Sequence, residues 1–366
     1  NWEWPRQTGD FSMFRVYADK NGNPAAYSKD NVPLQPKHYL PVSIKGVKEN
    51  DFAMILGYPG RTNRWMPAGG IEQNIKFAYP AWVEGAKTGM DVMKKYMDKD
   101  ATVRLQYASK YASTANYWKN RQGMIDALTK AGTVAAKTEQ EDKFYEWATK
   151  PANKEKYENV IPTINDYYRE TNLKATHDNY LTQLLRTSSY ATGPANLGNA
   201  LIAYYNENDA KKAEMLPKIN AMIDNIYGEF YAPLEKDVLA AQLNLYSSKA
   251  VGYGLAPQIA KMKSENNGDF TNDVAKATEI SYFTTKEKVL AFMANPKPLA
   301  IVHDPLYIIS NDLLTKYRAK TDDQAKADDG FAIAFRKLVE GLRESKLNAI
   351  QYPDANSTLR LTYGKV

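Results

Sequence analysis

Asp10 stands in Thr8-Gly9-Asp10, directly ahead of the aromatic and β-branched run Phe11 to Ala18. A loop at the edge of a strand can aim a carboxylate at a neighbouring group, as general bases and orienting acids require. The same aspartate could bond its own backbone in an Asx turn, and spacing alone leaves both readings open. The rest of the chain offers Asp10 no catalytic partner.

Other reactive side chains have bland explanations beside the chemical ones. The three histidines are His38, His177 and His303, and two of them stand in the dipeptides His177-Asp178 and His303-Asp304. A metal hydrolase would need these pairs to converge, yet HExxH and CxxC spacings are absent, so satisfied or surface histidines and no metal are expected. The stretch Gly57 to Arg64 suggests a phosphate loop, but it lacks the lysine after its second glycine, and Pro59 removes an amide donor. It reads as a strand-ending turn. Glu139 with Glu141, and Asp328 with Asp329, could be paired acid and base of a glycosidase. Their place in expected caps and loops makes them solvated helix-terminal charges. Ser12, Ser188 and Ser189 lack the Gly-x-Ser-x-Gly elbow that exposes a nucleophile.

The bulk numbers bound the setting for this chemistry. A chain of 366 residues with 43% hydrophobic content can form two or three domains with a proper core. Its 48 basic and 42 acidic side chains give a net charge of +6 without a block of five like charges, which does not indicate nucleic acid as a partner. No run approaches the length of a membrane span. With no cysteine the chain forms no disulfide or thiolate site, and it suits an oxidising compartment such as the periplasm. The 26 tyrosines and 6 tryptophans suit wide helix interfaces and ligand-stacking surfaces. The chain opens without Met or an apolar export segment, and the strand pattern Thr358 to Tyr363 runs to its end, so both ends are expected to be cut.

Short β segments are expected at Phe11 to Ala18, Tyr39 to Ile44 and Asp51 to Gly57, the last closed by Tyr58-Pro59-Gly60. From about residue 70 the hydrophobic period becomes helical, as in Ile219, Met222, Ile223, Ile226 and Tyr227, and in Phe331, Phe335, Leu338, Val339 and Leu342. Capping boxes are read at Thr138 with Glu141, Thr284 with Glu287, and Thr321 with Gln324. Breaks are read at Gly193-Pro194, 266–269, 295–298 and Asp328-Asp329-Gly330. Eight to ten helices should result. A final strand is expected within Ser357 to Tyr363. This β-α-β order predicts a helical domain of roughly 280 residues inserted into an incomplete β domain, which needs strands from outside the 366 residues.

Several ordered motifs resemble one family. They are Asn1-Trp2-x-Trp4-Pro5-Arg6-x-Thr8-Gly9-Asp10-Phe11-Ser12-x-Phe14-Arg15-Val16-Tyr17-Ala18, then Asp30-Asn31-Val32-Pro33, then Gly57 to Arg64, Tyr111 to Lys119, and Tyr352-Pro353-Asp354-Ala355-Asn356. Together they resemble the bacterial serine dipeptidyl-peptidase 7 and 11 family and span essentially the whole chain. Gln7 departs from that pattern, which has His before Thr-Gly-Asp.

The resemblance implies a mainly α chain, α+β overall, with a large helical domain inserted into an incomplete chymotrypsin-like β-barrel. Its parts would be 1–66, partial barrel strands; 67–347, a helical cap; and 348–366, a strand returning to the barrel. Asp10 becomes the triad aspartate, with the histidine upstream of Asn1 and the serine downstream of Val366. The chain would then be the central fragment of a periplasmic enzyme, inactive alone and without a cofactor. Asn1, Trp2 and Asn116 match positions that bind the substrate's α-ammonium, through amide carbonyls that accept its protons and an indole packed beside them. Partners would be peptides with a free N-terminus and the missing barrel segments; a homodimer of the parent is allowed. Specificity for acidic or hydrophobic penultimate residues would be set near the serine. The rival readings are a stand-alone helical module that binds peptide or glycan, and a metal hydrolase built on the His-Asp pairs.

Overall fold

A computed structural model describes residues 12–347 and 352–366. Its backbone divides into two compact units, one of the described residues up to Thr62 together with Ala355–Val366, the other Asn63–Asp354.

The first unit holds four strands in two antiparallel ribbons and, among the described residues, no closed barrel. In one ribbon β1 (Tyr17–Ala18) pairs β2 (Val32–Pro33), so two motif segments meet, and the Leu34 amide donates to Val16 O at 2.9 Å. In the other, β3 (Phe52–Gly57) pairs β4 (Arg360–Lys365), joining stretches about three hundred residues apart. Thr62 and Ala355 extend this closure: the Ala355 amide donates to Thr62 Oγ1 at 2.8 Å, and the Ser357 amide to Pro59 O at 2.9 Å. The expected strand at Tyr39 to Ile44 does not form, and Tyr39, Leu40, Val42 and Ile44 all lie exposed. Their alternation finds no neighbouring strand to bond. Gly57 to Arg64 carries no helix of its own, so it lacks the helix N-terminus of a phosphate loop.

Among its described residues the second unit has helices and turns and no strand. Its elements are α1 (Ala68–Gln73), a π turn (Asn74–Ala78), α2 (Tyr79–Met97), α3 (Ala101–Lys130), α4 (Thr133–Ala148), α5 (Lys154–Tyr157) and α6 (Val160–Thr187). After a 3-10 turn (Ser189–Ala191) come α7 (Gly193–Tyr205), α8 (Asp209–Tyr227), α9 (Ala232–Lys249), α10 (Pro257–Asn266), α11 (Thr271–Ile280), α12 (Lys286–Ala294), α13 (Pro298–Ile301), α14 (Pro305–Arg318) and α15 (Asp322–Glu344). Twelve of these reach eight residues, more than expected, because turns inside polar stretches such as 206–208 split what the periodicity joined, while the break expected at 266–269 is present between α10 and α11.

Local chemistry explains most ends. Thr321 and Gln324 form the expected reciprocal capping box. Asn267 ends α10 in the left-handed region at φ 53°. At α12 the cap is Thr285, one residue later than expected, since its hydroxyl accepts from the Lys288 amide. Thr138 caps nothing; it lies inside α4, which starts after Gly132 in the left-handed conformation. The break expected at Asp328-Asp329-Gly330 is absent, because the apolar face carrying Phe331, Phe335 and Leu338 packs α15 onto α4, α5 and α6 and overrides the turn residues. The Gly193-Pro194 break is instead the first turn of α7, where proline's missing donor costs nothing.

A second interhelical core lies between α6, α9, α11 and α14, around Leu181, Leu184, Leu239, Leu243, Phe270 and Leu313. Two glycines bring α2 close to α6. A Cβ on Gly85 would come within 2.7 Å of Gln183 Cβ, and one on Gly89 within 2.9 Å of Thr187 Cβ. Gln242 of α9 seals the contact, its Nε2 donating to Gly85 O at 2.8 Å and to Thr187 Oγ1 at 2.9 Å. This approach fixes Gln183 beside α2 and α3.

Candidate functional site

Asn1, Trp2 and Asp10 lie outside the described residues. Asn116 is described: it stands exposed on α3, three residues after Ser113 and one before Tyr117. Asp100 starts α3 by accepting from the Thr102 amide at 2.7 Å and the Val103 amide at 3.3 Å, which sets the helix's register. Val103 and Tyr107 bury one stripe against α2 and α9, and Asn116 falls outside that stripe.

The same stretch of α3 carries a polar cluster that spacing does not reveal. Glu235, in the first turn of α9, is 1% exposed. Its Oε1 accepts from Lys110 Nζ at 2.9 Å, Tyr107 Oη at 3.0 Å and Ser189 Oγ at 3.0 Å, and its Oε2 from the Ser189 amide at 2.7 Å. One buried carboxylate therefore ties α3, α9 and the 3-10 turn together with its charge paired and its lone pairs used. Burial, reinforced by the Glu235 charge, pushes the Tyr107 hydroxyl far above the usual tyrosine range, so it stays a donor. Ser189 is thus a structural hydroxyl, and its partners lie too far along the chain for local spacing to find.

Beside this cluster α2, α3 and α6 enclose a recess of about 100 Å3, lined by Trp82, Lys110, Ser113, Thr114, Tyr117, Gln183 and Arg186. The Arg186 guanidinium lies 5.3 Å from the Tyr117 ring centre and 5.7 Å from that of Trp82. Arg121 covers the other side, 4.6 Å from Tyr79 and 5.5 Å from Trp82. Trp82 and Tyr117 meet edge to face.

The other candidates resolve into structure. His177 is buried: Nδ1 lies 2.9 Å from Asp178 Oδ1, and Nε2 2.9 Å from Tyr246 Oη. Burial raises the Asp178 pKa, but the bonds from His177 and Lys174 outweigh it and hold it below the ordinary value. His303 is exposed, whereas Asp304 caps α14 and also accepts from Ser281 Oγ and the Tyr282 amide, both at 2.8 Å. No group of three or more His, Cys, Asp or Glu converges as a metal site among the described residues. Glu141 is no solvated charge. It is 6% exposed on α4 and caps α1 from outside, accepting from the Ala68 amide at 2.7 Å. Asp328 accepts from Tyr167 Oη at 2.9 Å and pairs Lys320 at 2.7 Å, inside α15.

Comparison with known proteins places the chain in a family. The family model described as Peptidase S46 matches residues 1–366. The chain belongs to the peptidase S46 family. This S46 chain is 50% identical over its full length to dipeptidyl-peptidase 7 of Capnocytophaga gingivalis, covering 51% of that protein. It is 33% identical to the Asp/Glu-specific dipeptidyl-peptidase of Flavobacterium psychrophilum, again covering 51%. Among solved structures, Porphyromonas endodontalis DPP11 in complex with the dipeptide Arg-Glu superposes with a TM-score of 0.80 at 31% identity, over all of this chain and 52% of that one. The S46 chain thus spans about half the length of the relatives it matches. Among its described residues no helix is long and apolar enough to cross a membrane.

Proposed function

We propose that this chain is the central part of a serine-type dipeptidyl-peptidase of the periplasm, which releases dipeptides from the free N-terminus of peptides. The carrying observation is the chain-long 50% identity to a dipeptidyl-peptidase 7. Asp10 accepts a hydrogen bond from the catalytic imidazole. That bond fixes the tautomer and stabilises the imidazolium formed when the imidazole takes the serine proton and the oxygen attacks the scissile carbonyl. Both the histidine and the serine come from outside the 366 residues, so the piece alone is inactive. The two ribbons are barrel strands, and the helical unit is an insertion in the chain between β3 and β4.

Asn1, Trp2 and Asn116 bind the substrate's α-ammonium. Asn116 suits this because it is exposed on a helix whose register is pinned by Asp100 and Glu235. An amide carbonyl accepts ammonium protons without burying a second charge.

The test is dipeptide release from fluorogenic peptides by the full-length protein. Free N-termini should be processed, N-acetylated ones should not, and a serine-directed phosphonate should stop turnover. Equal cleavage of acetylated peptides would overturn the exopeptidase reading. Activity in the 366-residue piece alone would overturn the assignment of catalytic groups outside it.

A further inference from the structure

Glu141 of α4 is 6% exposed, yet it uses only one of its two carboxylate oxygens. Oε1 accepts from the Ala68 amide at 2.7 Å, and this is the only hydrogen bond the carboxylate accepts among the described residues. The side chain lines a groove of about 430 Å3 between α1, α4 and α6, which leaves Oε2 for whatever enters the groove. Among the described residues no lysine or arginine pairs with it. Lys137, one turn earlier on α4, donates to Arg64 O at 2.9 Å and Gln140 Oε1 at 3.4 Å, and Arg169, which lines the groove, pairs with Asp166 at 2.7 Å. A buried carboxylate is expected to have its charge paired and its lone pairs used, as Glu235 has. In Glu141 the charge is unpaired and half of the acceptor capacity is idle.

The groove forms where three helix faces meet. Val134, Thr138 and Glu141 recur at helical spacing on α4, and Ile161, Asn165 and Tyr168 do so on α6. Gly69 lets α1 settle against Tyr168, since a Cβ there would come within 2.9 Å of the ring. The exposed Asp142 and the half-buried Glu72 add negative charge, and the Asn165 amide adds a carbonyl. The complement to these acceptors is a cation with several N–H donors, carried on an apolar stem that can lie along Val134 and Ile161. A chain of the peptidase S46 family meets that chemistry as arginine and lysine in polypeptides. We propose that the groove is a subsite for a basic side chain of a polypeptide, with Glu141 Oε2 as its charge partner and Asp142 as a second acceptor at the rim. The subsite does not depend on Asn116 or on where the catalytic groups lie.

Calorimetric titration of the full-length protein with N-acetyl-argininamide tests this, because its blocked amine has no α-ammonium to offer. It should bind roughly 10-fold tighter than N-acetyl-citrullinamide, its neutral isostere. Glu141→Gln keeps an oxygen for the Ala68 amide and should bring the two probes within about twofold of each other. Asp142→Asn, on the surface, should cut the preference by about two- to threefold. Burial holds the Glu141 pKa above its ordinary value, so the preference should grow between pH 4 and 7 as the carboxyl ionises, and Glu141→Gln should remove most of that growth. Equal binding of the two probes by the wild type, or a preference that survives Glu141→Gln, overturns the subsite. Spermidine binding more tightly than N-acetyl-argininamide, and losing that advantage in Glu141→Gln, would assign the groove to a free polyamine and overturn the polypeptide assignment.

Discussion

The two units handle apolar surface in opposite ways. In the helical unit Leu181, Leu184, Leu197, Leu234, Leu243 and Leu313 are all fully buried. In the β unit Ala18 and Ala355 are the only buried apolar residues among those described. Its longer ribbon shows both faces: Phe52 is 69% exposed and Ile55 71%, while Met54, Leu56, Leu361 and Tyr363 also lie open. A two-stranded ribbon is marginal in water, and contiguous exposed apolar surface marks an interface. The helical unit supplies its own core; among the described residues the ribbon has none.

Catalysis should break along the same line. In the full-length protein Asp10→Asn is expected to lower kcat by about 10⁴, the cost of losing the orienting carboxylate in a serine triad. Thermal unfolding should stay unchanged. A loss below tenfold would remove Asp10 from the triad.

The helical unit should respond in stability instead. Glu235→Ala strips the acceptor from Lys110, Tyr107 and both Ser189 donors. It should cost about 2–4 kcal/mol in denaturant unfolding of the full-length protein, moderated because Lys110 reaches water. Glu235→Gln should cost less, since one acceptor oxygen remains. A loss no larger than that of an exposed carboxylate would show the cluster to be ornamental.

Equal exposure in unequal units gives a sharper contrast. Ile55 on β3 is 71% exposed and Leu105 on α3 is 80%. If segments outside this chain cover the ribbon, Ile55→Asp should destabilise the full-length protein by about 2–3 kcal/mol, and Leu105→Asp by at most about 0.5 kcal/mol. Equal costs would mean that β3 stays uncovered.

What the sequence disclosed follows the same division between local and distant causes. The faces Ile219 to Tyr227 and Phe331 to Leu342, the Thr321 capping box and strand 52–57 are set by neighbours within a few residues, and all were legible. Glu141 and Glu235 were not, because their partners stand 73 residues away in one case and 46 to 128 in the other. Tyr39 to Ile44 alternates as a strand should, but a strand needs an edge to pair with. Asp328-Asp329-Gly330 carries turn chemistry, yet the apolar stripe on either side kept the helix intact. The recess escaped notice for a related reason: Trp82, Tyr117, Gln183 and Arg186 come from three helices, and each alone reads as ordinary packing. The resemblance pointed to Asn116 and its neighbours on α3, whereas the residues of α2 and α6 that pack beside this stretch come only with the fold.

The smallest expected effect concerns Glu141, the buried cap of α1. Burial raises its pKa above the ordinary 4.5, and the bonds from the Ala68 amide and the nearby Lys137 charge offset this only in part. The folded state therefore holds this proton more tightly than the unfolded chain. The resulting stabilisation is complete below pH 4.5 and is lost as pH rises through the raised value. Glu141→Gln keeps an oxygen for the Ala68 amide and removes the titration. Denaturant midpoints between pH 4 and 8 should then fall less steeply with rising pH in the variant than in the wild type. The difference should be read in the unfolding of the helical unit, because Glu141 and its partner Ala68 both belong to it. A steeper fall in the variant would mean that the carboxylate is ionised and stabilising in the folded state, with Lys137 as its counterion.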